Sequence, residues 1–198
     1  MAEEIKLKRT LKRESAEEAS EKKEIASESK ASKKNPLITD KCIDYLNYRI
    51  EQEEYSSRIY LAMSMWLDDR GFVNAAKLWK KYSEEERAHA DMAREYLLDL
   101  GIQPDTPALK QPPQDFSGLP QIIRDSYDHE VEITNQCKDL ASHAMEMADH
   151  LLYQLAATYL KEQIEEVGKA QNWIDQLESF GEDKIAMRLL DHEMKDYL

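Results

Sequence analysis

Residues 81–101 read KYSEEERAHADMAREYLLDLG. Three glutamates in a row followed by a histidine are an unusual choice for the middle of a helix, where glutamate ordinarily faces water. The apolar and small residues around them step by three and four, through Ala75, Trp79 and Tyr82 and then Ala93, Tyr96 and Leu100. That is the period of a helix with one buried stripe. Glu86 and His89 fall in register with it, so the spacing predicts that both point inward. Gly101 is the residue type favoured just after a helix C-terminus.

The same stepping recurs outward from this stretch. A first helix is expected over residues 40–69, with the seam Ile43, Leu46, Ile50, Glu53, Ser57, Tyr60, Ser64, Leu67. The second spans residues 72–100. A third, with Pro120 in its first turn, runs to about residue 147 through Ile123, Tyr127, Glu130, Thr134, Cys137, Ala141 and Ala144. A fourth, over residues 149–179, carries Leu152, Ala156, Tyr159, Gln163, Glu166, Ala170, Trp173 and Leu177. KIAMRLLDHEMKDYL, residues 184–198, makes a short fifth helix.

The connection between the second and third helices decides the topology. GIQPDTPALKQPPQDFSG, residues 101–118, holds four prolines and has no periodicity. A helix of roughly 29 residues is about 44 Å long, and roughly 17 extended residues reach about 56 Å. The segment can therefore run the whole length of a bundle. The other two turns are tight, so they join antiparallel pairs. The expected fold is all-α, a four-helix bundle with one long crossover.

Composition agrees. The chain has 198 residues with five Gly and six Pro, the make-up of long helices and enough for one core. A formal net charge of −13 argues against nucleic acid as the main partner, because a phosphate backbone needs a basic face. No apolar run is long enough to span a bilayer, and no secretory signal is evident at the N-terminus. Cys42 and Cys137 do not make a disulfide framework. The expected location is the cytoplasm. Residues 1–36 differ: they contain no aromatic or Gly, and ten Lys/Arg against eight Glu. They read as a charged, disordered extension ahead of a domain over residues 37–198, with no identifiable partner.

Each seam is apolar toward its ends and carries a carboxylate near its middle: Glu53, Glu86, Glu130 and Glu166. These interruptions should share one level of the bundle. Taken singly, each has an ordinary reading, since an inward Glu is usually hydrogen-bonded or partly solvated, and a seam His or Tyr is usually core. Together they demand compensation, because unpaired buried charges cost several kcal/mol or more each. The four seams contain no Lys or Arg. The expected counter-charge is a cation, and hard oxygen ligands with one imidazole suit iron or a similar divalent metal.

Four stretches, EQEEYSSRIYLAMSMW, SEEERAHADM, SYDHEVEIT and LKEQIEEVGKAQ, together with the terminal helix, resemble the ferritins, specifically the bacterial non-haem type. The resemblance covers residue 37 to the C-terminus. It implies that Glu53, Glu86 and His89 bind a first iron, and that Glu86 bridges to a second iron also bound by Glu130. Gln163 lies close by, and Tyr60 supplies an electron or a hydrogen bond. Glu85, Glu162 and Glu166 match a third iron site of bacterial members. It further implies a homo-oligomeric shell of 24 subunits. Ferroxidase activity on Fe(II) with O2 or peroxide would feed a ferric mineral within it. Gln163 would ligate weakly and help the product leave. Asp149 and His150 fall near the family's three-fold channels, although Asp149 reads equally as a helix N-cap. In EQIEE, Gln163 is followed three residues later by Glu166 and not by His, which argues against a haem-binding bacterioferritin, so no haem is expected.

Two other functions compete. A di-iron oxidase acting on an organic substrate would need a substrate pocket and normally a second histidine. A metal-free structural bundle would tolerate apolar residues in place of the seam glutamates.

Overall fold

Gly71 has φ +75°, a left-handed conformation that costs glycine nothing, and around it the chain reverses within three residues. The Leu67 carbonyl accepts from the Arg70 and Phe72 amides at 3.2 and 3.0 Å. This turn joins α1, Asp40–Asp69, to α2, Val73–Asp99. α3 is Leu119–Glu146, α4 is His150–Phe180 and α5 is Lys184–Glu193, continued by a 3-10 turn over Met194–Tyr197. These elements come from a computed structural model that describes residues 37–198. The extension expected over residues 1–36 lies outside the described residues. The chain divides into two units, residues 1–39 and 40–198, and the second is the helical body. Among the described residues there is no β-strand.

α1 packs along α2, and α3 along α4, as two tight turns require. In the second turn Ala148 takes φ 53° and Asp149 accepts from the Leu152 amide at 2.9 Å. Asp149 therefore acts as the N-cap of α4. The long connection runs along α1. Asp105 N donates to Asn47 Oδ1 at 3.0 Å, Lys110 Nζ sits 4.5 Å from the centre of the Tyr55 ring, and Phe116 meets Trp66 edge-on at 5.8 Å. Positions 47 to 66 of a helix are about 28 Å apart at 1.5 Å per residue, so the segment traverses the bundle as its length predicts.

One end of the bundle is an aromatic-rich core of Trp66, Trp79 and Trp173 with Ile122, Ile123 and Leu177, and Met187, Leu190 and Met194 close it. Toward the other end Leu46, Leu97, Cys137, Leu152 and Ala156 are buried. Asp191 of α5 does more than fill space. Its Oδ1 accepts from the Asn74 and Ala75 amides at 3.1 and 2.9 Å, capping α2, whose own N-cap residue Phe72 makes no side-chain cap. Between the apolar ends lies a polar layer of Glu53, Glu86, His89, Glu130 and Gln163, all buried.

Candidate metal centre

Glu53 comes from the middle of α1, Glu86 and His89 from successive turns of α2, Glu130 from α3 and Gln163 from α4. The ligand atoms of Glu53, Glu86 and His89 lie within 4.8 Å of one another. His89 Nδ1 is 3.4 Å from Glu86 Oε2. Both oxygens of Glu53, Oε2 of Glu86 and of Glu130, and His89 Nδ1 are buried without a hydrogen-bond partner. Buried polar atoms are almost always paired, and leaving one unpaired costs about 1–3 kcal/mol, more when it is charged. A concentration of partnerless acceptors drawn from three helices is what a cation would satisfy, and the donor set fits iron, with hard oxygens and one imidazole.

Glu130 stands outside the 4.8 Å group, and Tyr60 fixes it. The buried Tyr60 hydroxyl donates to Glu130 Oε1. That leaves Oε2 as the oxygen available to a metal. Tyr60 packs edge-on against Tyr82 and His129, and His129 Nε2 is 2.8 Å from Ser56 Oγ. Gln163 is buried, and its Oε1 accepts from Thr134 Oγ1 at 2.8 Å. Tyr159 Oη donates to the His89 carbonyl at 2.7 Å, holding that turn of α2 against α4.

The electrostatics follow from crowding. Burial, and then the charges of Glu53 and Glu130, push the Glu86 carboxyl well above the usual range. Burial raises Glu130 to about 7, with the charges of Glu166 and Glu53 adding to the rise and the Tyr60 hydrogen bond opposing it. Without a metal, Glu86 and Glu130 hold their protons to higher pH than ordinary carboxyls do. A metal must displace them, as carboxylate-bound metals do.

Two cations that seam spacing did not reveal border the site. Arg49 is buried on α1, and its Nε lies 2.7 Å from Glu53 Oε1 without hydrogen-bond alignment. The counter-charge inside the bundle is thus partly built in, a correction to the expectation drawn from seams free of Lys and Arg. The signal was present, because Arg49 is four residues before Glu53 and adjacent to Ile50, and residues four apart share a helix face. The second cation is Lys169. Its Nζ is 3.2 Å from Glu166 and 3.7 Å from Glu85. Burial would weaken its charge, and the two carboxylates more than restore it. Glu85, Glu162 and Glu166 are half-buried at the edge of the centre. Glu162 Oε2 lies 3.5 Å from His89 Nε2, while Glu85 and Glu166 meet across the Lys169 ammonium. Glu166, read from spacing as inward, sits at the margin of the stripe, and Gln163 takes the buried position on α4.

A sequence model of the ferritin-like domain matches residues 43–180. The chain belongs to the ferritin family. Relatives include the probable bacterial non-heme ferritin-like protein of Haemophilus influenzae, 29% identical over 158 residues that span 80% of this chain and 96% of that protein. The bacterial non-heme ferritin of Escherichia coli O157:H7 matches to the same extent, with 29% identity over 158 residues. Among solved structures, the open pore ferritin of the hyperthermophilic archaeon Archaeoglobus fulgidus superposes with a TM-score of 0.77 at 29% identity, over 80% of this chain and 97% of that one. Membership of the ferritin family supports iron storage as the role of the chain, and the Glu53, Glu86 and His89 cluster supports metal binding.

Proposed function

We propose that this ferritin is a ferroxidase that oxidises Fe(II) to Fe(III) at a two-metal centre inside each subunit and stores the product as a ferric mineral in a hollow shell of 24 copies. The observation that carries this reading is the convergence of partnerless, buried ligand atoms from Glu53, Glu86 and His89, with Glu130 beside them. Glu53 and His89 would hold one Fe(II) and Glu130 the other, with Glu86 shared between the two. Two Fe(II) supply two electrons, which with two protons reduce O2 to hydrogen peroxide, or hydrogen peroxide to water. Tyr60 keeps Glu130 oriented. Gln163 is a neutral side chain on the α4 side, with its Oε1 accepting from Thr134, and it would hold Fe(III) less firmly than a carboxylate and favour passage to the mineral. Glu85, Glu162 and Glu166 form a third, outer position.

An oxidase acting on an organic substrate would need room beside Glu130 and Tyr60. The cavity bordered by Tyr60, Glu130 and Glu166 measures about 10 Å³, room for about one water. A metal-free bundle is disfavoured by Glu86 Oε2, Glu130 Oε2 and His89 Nδ1, buried ligand atoms that no protein group hydrogen-bonds. The proposed site of action is the cytoplasm; among the described residues no helix is long and apolar enough to cross a membrane.

The deciding experiment follows Fe(II) oxidation by O2 in the near ultraviolet. Wild type is compared with Glu86→Ala and His89→Ala, each checked for assembly. Fast oxidation lost in both assembled variants is the expected result. A wild type no faster than buffer would mean the carboxylate layer serves another purpose.

A further inference from the structure

The three buried carboxylates have different neighbours. Glu86 meets the His89 imidazole and Glu130 the Tyr60 hydroxyl. Glu53 meets a guanidinium. Arg49 and Glu53 are 2% and 1% exposed, so neither side chain can swing out to water. α3 clamps the guanidinium from the other side, where Arg49 Nη1 donates to Gln136 Oε1 at 2.9 Å. Arginine keeps its charge in proteins. Removing one member of a buried pair leaves a charge without compensation, so Arg49 and Glu53 hold each other in place.

We propose that Arg49 is a built-in cation of the metal centre, which engages one oxygen of Glu53 and makes the position between Glu53, Glu86 and His89 the weaker of the two metal positions. The inference rests on the two-metal reading above and deepens it. Two effects act in the same direction. With Oε1 facing the guanidinium, Glu53 presents Oε2 alone to a metal and binds through one oxygen. In addition, a fixed positive charge one carboxylate away opposes an incoming dication. At an effective dielectric of about 20, a unit charge and a dication about 6 Å apart repel enough to weaken binding on the order of ten-thousandfold, so a gap of at least about tenfold survives the partial screening of the guanidinium by Glu53. The position between Glu86 and Glu130 has no such cation against its carboxylates, because Tyr60 is a neutral donor. The repulsion grows with the charge of the ion, so it bears harder on the ferric product than on the ferrous substrate. Arg49 is a positioning residue, acting on the metal through Glu53.

Calorimetric titration of the assembled, iron-free protein with Zn(II), which has no redox chemistry, tests this. Besides the outer position, wild type should bind at two inner positions per chain with affinities at least about tenfold apart. His89→Ala, which removes a ligand of the Arg49-side position alone, should delete the weaker one. Arg49→Gln should tighten the weaker position and close most of the gap, and Arg49→Lys, which keeps the charge, should retain it. Equal positions in wild type, or loss of the tighter one in His89→Ala, overturns the proposal even if Arg49→Gln fails to assemble. An unchanged gap in assembled Arg49→Gln overturns it as well. No Zn(II) binding at all would instead overturn the metal-centre reading on which it rests.

Discussion

Tyr60 Oη donates to Glu130 Oε1, tying α1 to α3 through a carboxylate whose other oxygen, Oε2, has no partner. The bond fixes the orientation of Glu130, which the proposed function makes a metal ligand. Tyr60→Phe removes it without opening a large cavity. The loss should slow Fe(II) oxidation by roughly tenfold to a hundredfold, since a hydrogen bond to a charged group contributes about 1.5–3 kcal/mol and about 1.4 kcal/mol is a factor of ten. Stopped-flow absorbance on the assembled variant reads the effect. An unchanged rate would assign Tyr60 to packing alone.

Lys169 stands between Glu85 and Glu166, two carboxylates of the proposed outer position. It is 43% exposed, and Glu85 is 31% exposed, so solvent screens the contact and the pair is weak. A metal can displace the ammonium at small cost. Lys169→Met should therefore tighten the outermost metal position by only about twofold to fivefold and leave the inner two unchanged. Co(II) or Zn(II) stoichiometry and affinity measure it, and a shift in the inner positions would contradict the placement.

Proton binding by the carboxylate layer sets a pH dependence. Glu130 is raised to about 7 and Glu86 is raised as well, both first by burial. A carboxyl with a higher pKa folded than unfolded stabilises the fold below its unfolded value and loses that contribution as pH rises through the folded one. Metal-free protein should therefore lose stability between about pH 4.5 and pH 7, by an amount on the order of 3 kcal/mol for Glu130. Glu130→Gln should flatten this slope. Zn(II) should reverse it, because metal and protons compete for the same oxygens. Thermal melts from pH 5 to 8, with Zn(II) or with a chelator, give the comparison.

Gln163→Glu places a charged ligand where a neutral one stands. The first turnover should persist while sustained oxidation slows severalfold, because the carboxylate retains Fe(III). Multiple additions of Fe(II) to one sample separate the two phases, and equal rates on every addition would remove Gln163 from product release.

Asp191 caps α2 from another helix. Asp191→Ala should cost about 1–2 kcal/mol, in the range of lost N-caps, and Asp191→Asn, which keeps an acceptor, should cost less. Denaturant melts of the two variants test the order.

Glu53, Glu86, His89, Glu130 and Gln163 were legible in the sequence because each lies in a three-four stripe of small and apolar residues, and one helix's periodicity suffices to say that a side chain faces inward. The antiparallel pairs and the crossover were legible for a similar reason, since turn length and chain reach are local quantities. Other features depend on what a neighbouring helix presents. Arg49 is one turn from Glu53, but a charged side chain at the edge of a stripe is exposed by default, and Gln136 on α3 and the carboxylate beside it hold the guanidinium inside. Lys169 shares a face with Glu166, yet its bridge to Glu85 exists because α2 and α4 lie side by side. Asp191 and the α2 amides that it caps are 116 and 117 residues apart. Periodicity determines which face of each helix is buried; which charges meet across those faces is decided by tertiary packing, because Coulomb and hydrogen-bond energies depend on distances between helices that no single helix contains.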